Sequence, residues 1–457
     1  MFWRLKIAVL AIVLAAIGAT AVQAQSRSVP IVRDAEIEAL LRDYADPILR
    51  VAGMRSDRTD IVIVNSRAFN AFVSGRRIFI NVGALVEAET PNEIIGVLAH
   101  EIGHLSGGHQ DRLRQQLDRA QTIAAVGAIV GMGASVAGAA SGNSQVAGAG
   151  TGIAMGGMEA AQRGLLAYRR TEELAADRAA VDYLNRTGQS PQGLLTTFKR
   201  FEKQLSLAGR NVNPYRLSHP LPRERLAALE TIARQSPHFG KSDPRALVVR
   251  HDRARAKILA YVYGPNAVDR VVQANPNSQA ARYGKAIATH LYGSQQDALA
   301  MIDKLIAEAP NDPYFHEVKG EILLRARDAG GAVDAFSRAV QLSDGNAPTI
   351  QVALGHALVL AGGEANFRRA IGELEVAITL DPANPRAYRH LAMAYGRLGW
   401  IGDAELATAE ASFHSGQFEQ AKRFAARAKR RFDRNAPQWL RADDIQRFEI
   451  PNSRRSR

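Results

Sequence analysis

A turn recurs through the second half of the chain at nearly constant intervals, and this repeat constrains the fold more than any other sequence feature. Turn-forming sequences lie at Asn275–Ser278, Ala309–Asp312, Ser343–Asn346 and Leu380–Asn384, spaced 34 to 38 residues apart. Each interval can hold two helices, and small residues recur where paired helices would cross. These small residues are Gly284, Gly320, Gly355 and Ala392 in the first helices and Ala298, Ala332 and Ala370 in the second. A single helical pair cannot bury its apolar side alone, so we predict a stacked, all-α superhelix over residues 251–435.

The distance of 34 residues from Pro276 to Pro310 is the period of tetratricopeptide repeats. Such arrays present a concave surface that usually binds other proteins rather than catalysing a reaction. We interpret residues 239–250 as a linker in front of the array and residues 436–457 as a basic C-terminal tail. Phe418–Phe432 is predicted to be the closing helix.

The first half of the chain contains the sequence His100-Glu101-Ile-Gly-His104. On a helix, histidines four residues apart lie on one face, so both imidazoles can bind one metal ion. Glu101 can then reach a water molecule at that metal, as the general base of zinc peptidases does. The alternative is a chance match to a short pattern.

The residues around this motif predict the helix that would carry it. Thr90 is a favourable N-cap, Pro91 suits the first helical position, and Glu93 completes a capping box with Thr90. Gly107 and Gly108 provide the stop. A helix with marked ends argues against the chance match.

Short strands are predicted beside this helix. Residues 34–54 have helical spacing, whereas Asp60–Asn65, Asn70–Val73 and Arg77–Asn81 alternate as strands do. We predict a mainly α peptidase domain with a small antiparallel sheet, an α+β arrangement, over residues 25–238. An edge strand could hold the backbone of an extended substrate. The alternative is that the strands only cover the helix.

A third metal ligand is needed, and Glu173 is the best candidate. Gln110 stands where the metzincin pattern requires histidine, and His109 reads as a helix-end residue. Glu173 and Asp177 are four residues apart and therefore share one helix face. Glu173 could bind the metal, while Asp177 accepts a hydrogen bond from one of the ligand histidines. Glu172 is the rival ligand but points about 100° away around the helix. An ordinary solvated acidic face is the alternative.

His219 has two interpretations. Beside the rigid Pro220 it could reach the metal from a loop, occupy the fourth position and keep the enzyme latent. It could equally be a surface histidine in a turn.

Residues 120–158 contain no charged side chain and are rich in Gly and Ala. We predict a mobile flap or plug near the active site. Its first part could also be a helical hairpin or an interfacial segment, and the remaining alternative is a buried helical pair whose small residues pack closely. The low hydrophobicity of Gly and Ala and the polar Ser141–Ser144 argue against a true membrane span.

The N-terminus has the pattern of an export signal. Arg4 and Lys6 precede an uncharged apolar run, Ile7–Ile17, and Val22-Gln23-Ala24 offers a cleavage site. The run is shorter than the ~20 residues of a spanning helix. We therefore predict a signal peptide over residues 1–24, cleaved near Ala24, and a periplasmic mature protein.

The chain has no cysteine and a net charge of +13. Thiolate-bound zinc and disulfides are therefore excluded. A basic chain can bind nucleic acid, acidic partners or an anionic membrane surface. Since no nucleic-acid motif accompanies the charge, we expect no nucleic acid partner and keep peripheral membrane contact open.

These motifs together resemble the HtpX and CAAX-prenyl-protease superfamily of zinc metallopeptidases. The resemblance rests on His100–His104, on Glu173 with Ala176 and Asp177, on Asn70-Ala-Phe with Gly75, and on Ser218-His219-Pro220-Leu-Pro222 with Arg225. The leader and the repeats are most similar to the periplasmic BepA-like members. The resemblance implies a gluzincin-type domain, with zinc held by His100, His104 and Glu173, Glu101 as catalytic base, and His219 able to approach the metal.

The chain is thus predicted to be a zinc-dependent endopeptidase of the bacterial periplasm with one Zn²⁺ per chain. It would act in quality control or assembly of envelope and outer-membrane proteins, on unfolded or misassembled substrates. Its repeats would dock substrate or an outer-membrane assembly complex. The alternative is a repeat-based chaperone or assembly factor whose peptidase activity is latent or minor.

Overall fold

The computed structural model describes residues 30–207, 215, 219–220 and 223–449. The signal peptide predicted for residues 1–24 lies outside the described residues. So do Ser218 and Leu221–Pro222 of the motif around His219.

The sheet of the N-terminal half has the strand order β1-β2-β4-β3. Its strands are β1 (Ile31–Val32), β2 (Asp60–Val64), β3 (Ala71–Ser74) and β4 (Arg77–Asn81). The three longer strands occupy the segments predicted for them, but the sheet is mixed rather than antiparallel. A tight turn at Gly75, which has a φ of +61°, folds β4 back along β3 and inserts it next to β2, so β2 and β4 run parallel. β3 is left as an edge strand.

The helices of this half pack around that sheet. Their bounds are α1 (Ala35–Val51), α2 (Val82–Glu87), α3 (Pro91–Ser106), α4 (His109–Ala140), α5 (Ser144–Arg186), α6 (Gln192–Leu207) and α7 (Arg223–Arg234). One core joins α1, α3, the sheet, the C-terminal part of α5 and α6.

The predicted motif helix is α3, and it is almost entirely buried. Pro91 opens it and Gly107 ends it, as predicted. The prediction of a capping box between Thr90 and Glu93 is wrong. The Thr90 side chain makes no cap hydrogen bond, and the Glu93 carboxylate accepts the N–H of Glu89 and binds Arg200. The guanidinium of Arg200 offers this buried carboxylate a stronger partner than the Thr90 N–H could.

The uncharged segment 120–158 forms the outer half of a long helical hairpin. α4 and α5 pair antiparallel and are joined by a short turn at residues 141–143. The two helices approach closely at glycines, as the buried-pair alternative required, but their outer sides are exposed.

The part of the chain from Arg245 to Arg447 is helical and includes a short π-helix at Leu259–Tyr263. Its helices are α8 (Arg245–Ile258), α9 (Pro265–Ala274), α10 (Gln279–Tyr292), α11 (Gln295–Glu308), α12 (Pro313–Arg325), α13 (Ala329–Leu342), α14 (Pro348–Ala361), α15 (Glu364–Leu380), α16 (Pro385–Arg397), α17 (Ile401–His414), α18 (Phe418–Lys429) and α19 (Pro437–Arg447). α8 starts within the segment interpreted as a linker. α19 lies in the segment interpreted as a tail and packs on α18, so α18 does not close the array.

Small residues allow the predicted close crossings in the array. A Cβ atom on Gly320 would lie 2.7 Å from the ring of Phe336, and one on Gly355 would lie 2.5 Å from the side chain of Leu374. Ala298, one of the alanines that recur in the second helices of the repeats, is completely buried. Bulkier residues at these positions would separate the paired helices.

A buried charge cluster fixes the array to the peptidase half. Lys257 of α8 lies 2.8 Å from Asp34, 3.5 Å from Glu36 and 3.3 Å from Glu317 of α12. Arg253 binds Glu36 at 2.7 Å on the same face. Burial alone would lower the pKa of Lys257, but the surrounding carboxylates raise it well above its usual value. The ammonium therefore stays charged and links both halves.

We predict that Lys257→Met lowers the free energy of unfolding by about 3–5 kcal/mol, because it leaves buried carboxylates without their cation. Guanidinium denaturation measures this effect. Lys319→Met is the matched control, since Lys319 pairs with Asp303 in a half-exposed position and should contribute about 1 kcal/mol or less. Equal losses in the two variants would contradict the assignment.

Candidate metal centre

α3 brings His100 and His104 together one turn apart. Their Nε2 atoms are 3.0 Å apart, and both side chains are buried. Glu101, between them, is also completely buried.

α5 crosses α3 and contributes Glu173. Its carboxylate oxygens lie 3.4 Å from His100 Nε2 and 3.5 Å from His104 Nε2. The crossing is close because Gly103 has no side chain: a Cβ atom there would lie 2.9 Å from the carbonyl oxygen of Ala176.

His219 completes the cluster from a loop. Its Nδ1 lies 3.3 Å from His100 Nε2 and 3.1 Å from Glu173 Oε1. The ring stacks on Tyr215 with centroids 4.5 Å apart, and the backbone N–H of His219 donates to the carbonyl of Tyr215. His219 is buried, so it is not a surface histidine.

The spacing of these donor atoms fits a tetrahedral metal. Four donors at zinc, with bonds of about 2.0–2.1 Å, are separated by roughly 3.3 Å. Five of the six pairs among His100, His104, Glu173 and His219 have donor atoms 3.0 to 3.5 Å apart. These four residues form a buried group whose donor atoms all lie within 4.8 Å of one another. Three imidazoles and a carboxylate are a donor set that zinc accepts.

The Glu101 carboxylate needs a partner that the described residues do not supply. Both of its oxygens are buried without a hydrogen-bond partner among these residues, although His219 Nε2 lies 3.4 Å away. Buried carboxylate oxygens are normally hydrogen-bonded, and a polar site of this kind suits a water molecule beside a metal.

Asp177 orients the first histidine. Its Oδ1 lies 2.9 Å from His100 Nδ1, which directs the lone pair of His100 Nε2 into the cluster. Arg225 binds Asp177 through two hydrogen bonds of 2.7 and 2.8 Å and lies 2.7 Å from Glu173. Arg225 also donates to the carbonyl of Pro220, next to His219.

These contacts set the charges of the site. Burial would raise the pKa of Asp177, but Arg225 holds it below its usual value. Burial would lower the pKa of His100, yet Asp177 and Glu173 raise it to about 9 in the absence of metal. A cation that binds at His100 must therefore displace a proton.

The second histidine is oriented by a chain that the sequence did not reveal. His104 Nδ1 lies 2.8 Å from His109 Nδ1, and His109 Nε2 lies 2.8 Å from Glu172. Burial, with the neighbouring His104, lowers the pKa of His109 to about 4, so this ring is neutral. A proton on His109 Nε2 can then bond to Glu172, while His109 Nδ1 accepts the proton of His104 Nδ1. This arrangement leaves His104 Nε2 unprotonated toward the cluster.

His109 is therefore not the helix-end residue at a C-terminal dipole that we predicted. Gly107 ends α3, the left-handed Gly108, with a φ of +66°, follows it, and His109 opens α4. The turn folds His109 back under His104. Its five-residue separation from His104 was the available signal, but the i, i+5 spacing places two residues on one helix face poorly.

A cleft of about 250 Å³ opens onto the cluster. Glu101, His104 and His219 form its floor, and Phe72 and Val73 of the edge strand β3 form one wall. The side-chain amide of Gln110 bonds to the edge of β3. It donates to the carbonyl of Val73 and accepts the N–H of Gly75.

Comparisons with known proteins point to a peptidase. Residues 9–233 match the model of a family described as Peptidase family M48. The beta-barrel assembly-enhancing protease of Yersinia pestis is 25% identical over 418 residues, covering 89% of this chain and 82% of that protein. The protein of the same name from Escherichia coli (strain K12) is 23% identical over 347 residues, covering 73% and 67%.

Two solved structures resemble parts of the chain. Yeast Tom70 gives a TM-score of 0.35 at 17% identity and covers 64% of each chain. The crystal structure of MamA gives a TM-score of 0.30 at 20% identity, covering 34% of this chain and 88% of that one.

We predict that His109→Leu weakens zinc binding about 10- to 100-fold, because His104 loses the partner that fixes its tautomer. Glu172→Gln should have a smaller effect, since the amide oxygen can still accept the His109 proton. Competition with a fluorescent chelator measures both affinities. His316→Leu, which removes a half-buried histidine of the array far from the cluster, is the control. Unchanged affinity in His109→Leu would show that this chain does not position His104.

Proposed function

Residues 9–233 match the model of peptidase family M48, and from that match we propose that the protein is a zinc-dependent endopeptidase. One Zn²⁺ per chain would be held by His100, His104 and Glu173. Glu101 would be the general base. Asp177 would orient His100.

One observation carries this proposal. Four donor atoms from three separate elements converge within 4.8 Å of one another, beside a buried carboxylate without a protein partner among the described residues. A cluster of buried ion pairs that only stabilises the fold does not need three imidazoles. An acidic residue at Glu101, aimed into the cleft, suits proton transfer.

The mechanism follows from the positions of these residues. When bound, zinc lowers the pKa of water and polarises the scissile carbonyl. Glu101 accepts the proton of the attacking water and delivers it to the leaving amine. Asp177 and His109 hold the ligand imidazoles in one tautomer. An extended substrate can pair with the edge strand β3. The Gln110 side-chain amide now bonds to the Val73 carbonyl and the Gly75 N–H at that edge, so it would have to move first.

The relatives guide the proposal for substrate and location. The proteins named above are described as enhancing beta-barrel assembly. We infer that this chain acts in the periplasm on unfolded or misassembled envelope and outer-membrane proteins.

We propose the domain borders predicted from the sequence, with a signal peptide at 1–24, the peptidase at 25–238 and the repeats at 251–435. The repeats would dock substrate or an outer-membrane assembly complex.

We predict that Glu101→Gln lowers the rate of casein cleavage at least about 100-fold, because the amide cannot accept the water proton. Zinc content and thermal unfolding should be unchanged. Glu224→Gln on the exposed side of α7 is the matched control. Normal turnover by Glu101→Gln would remove Glu101 from the mechanism.

A second function is favoured by the position of His219. Its Nδ1 occupies the place of a fourth ligand, where it would displace the reactive water. A protein held in this state would work as a repeat-based chaperone or assembly factor with a latent or minor peptidase. Arg225 and the Tyr215 stack hold the His219 loop in this position.

We predict that His219→Ala raises the casein cleavage rate several-fold, because it opens the fourth position while three ligands remain. The activity should disappear with a chelator and return with zinc. His238→Ala is the matched control, since His238 lies outside the cluster. If both the wild type and His219→Ala bind zinc but cleave nothing, the chaperone function is favoured over the peptidase.

A further inference from the structure

The outer half of the helical hairpin is the largest feature that the peptidase proposal leaves unexplained. We call residues 120–158 the apolar arm. It has no charged residue, and α4, which forms its first side, is the one helix in the described part long and apolar enough to cross a bilayer. Only 11% of the apolar window of α4 is buried within the structure, so α4 is not a core helix.

The arm concentrates exposed apolar side chains. Ten of the 22 large hydrophobic residues exposed on the described part of the chain lie within these 39 residues. They are Ile123, Val126, Ile129, Val130, Met132, Val136, Val146, Ile153, Met155 and Met158. A continuous apolar surface of this size marks a site that another apolar phase covers.

The arrangement of small and large residues points to insertion rather than to a flat position on a surface. Glycines and alanines fill the contact between α4 and α5, since Gly127 lies against Gly157 and Gly131 against Gly150 and Ala154. The larger side chains named above are exposed outside that contact. A helix that lies in the plane of an interface has one apolar and one charged face, which the arm lacks. Small residues between helices with apolar outer sides are typical of helices packed within lipid.

The turn at the end of the arm bonds part of its own polar groups internally. The Ser141 hydroxyl donates to the carbonyl of Ala137, and the Asn143 side chain accepts the N–H groups of Gln145 and Val146. These internal bonds reduce the cost of transferring the turn into an apolar phase.

The length of the arm allows deep insertion. Its α4 side, residues 120–140, measures about 31 Å, and its α5 side, residues 144–158, about 22 Å, at 1.5 Å per residue. The hydrocarbon core of a bilayer is about 30 Å thick. The first charges beyond the arm on α5 are Glu159 and Arg163, which pair at 3.3 Å.

The base of the arm carries a surplus of positive charge. Six arginines lie there beside four carboxylates, a surplus of two positive charges. The arginines are Arg112, Arg114, Arg119, Arg163, Arg169 and Arg170, and the carboxylates are Asp111, Asp118, Glu159 and Glu172. The whole chain is also basic, at +13. Anionic headgroups complement this charge, whereas a second copy of the chain would repel it.

We propose that the apolar arm inserts, turn first, into a bilayer that contains anionic phospholipid and anchors the protein there. The cleft of the metal centre lies at the base of the arm, where Leu113, Tyr168 and Arg169 line it. Insertion therefore holds the cleft close to the headgroups. This proposal does not depend on peptidase activity.

Vesicle flotation of the purified Glu101→Gln chain tests the anchor, so that failure of the peptidase proposal leaves this test intact. The chain should float with vesicles of phosphatidylethanolamine and phosphatidylglycerol and bind less to phosphatidylcholine vesicles. Ile129→Glu with Val136→Glu should weaken binding about 100-fold or more, because each charge must enter hydrocarbon. Both positions are more than 60% exposed, so folding should be unaffected. Leu360→Glu with Leu440→Glu is the matched control, since both residues are half-exposed in the helical array.

A second measurement separates insertion from surface contact. Tryptophan placed at Val136 should be quenched by lipids brominated in their acyl chains, whereas tryptophan placed at Leu117 should not. Failure to float, or equal flotation of the Ile129→Glu/Val136→Glu variant, would overturn the proposal. So would a dimer in solution that does not float and that this same variant separates, because the arm would then be covered by a second copy.

Discussion

The metal centre depends on the close crossing of α3 and α5 at Gly103. The carbonyl oxygen of Ala176 lies so close to Gly103 that the side chain of any larger residue there would collide with it. The same crossing brings Glu173 within 3.5 Å of both histidines. Glu173 and Asp177 then contact His100 from two sides, because they lie one turn apart on the same face of α5. A separation of even one ångström between the helices would leave buried carboxylates without partners, which a folded protein tolerates poorly.

Each histidine of α3 is held by its own anchor, and the two anchors differ. The Nδ1 atom of His100 lies 2.9 Å from Asp177, which Arg225 holds in a fully buried ion pair. His104 bonds to neutral His109, whose partner Glu172 pairs with the exposed Arg112 at the cleft wall. The first anchor is inaccessible and rigid. The second lines the cleft, at the base of the hairpin that carries the apolar arm, so the orientation of His104 is the part of the site that the surroundings can influence.

The sequence predicted the features that depend on local spacing. The pairs His100–His104 and Glu173–Asp177 follow the helical period, and the repeats follow from regularly spaced turns. It did not predict features set by tertiary contacts. Arg200 replaces the capping box through a partner 107 residues away, and β4 enters the sheet between β2 and β3. His109 reaches His104 only because Gly108 reverses the chain. The apolar segment was recognised, but its exposure required the packing of α4 on α5.

The continuity of α5 links the proposed anchor with the proposed ligand set. This single helix of 43 residues carries the second side of the arm at its start and Glu173 and Asp177 further along. Met158 and Glu173 are 15 residues apart, about 22 Å along the axis. Because a helix is stiff over that length, an arm fixed in lipid fixes the height and direction of the Glu173 carboxylate above the surface. β3 and the His219 loop are held to the same cluster, so the cleft would face chains that emerge at or approach the membrane. Under both proposals, the polypeptides best placed for cleavage would be those that stall at the bilayer rather than those free in solution.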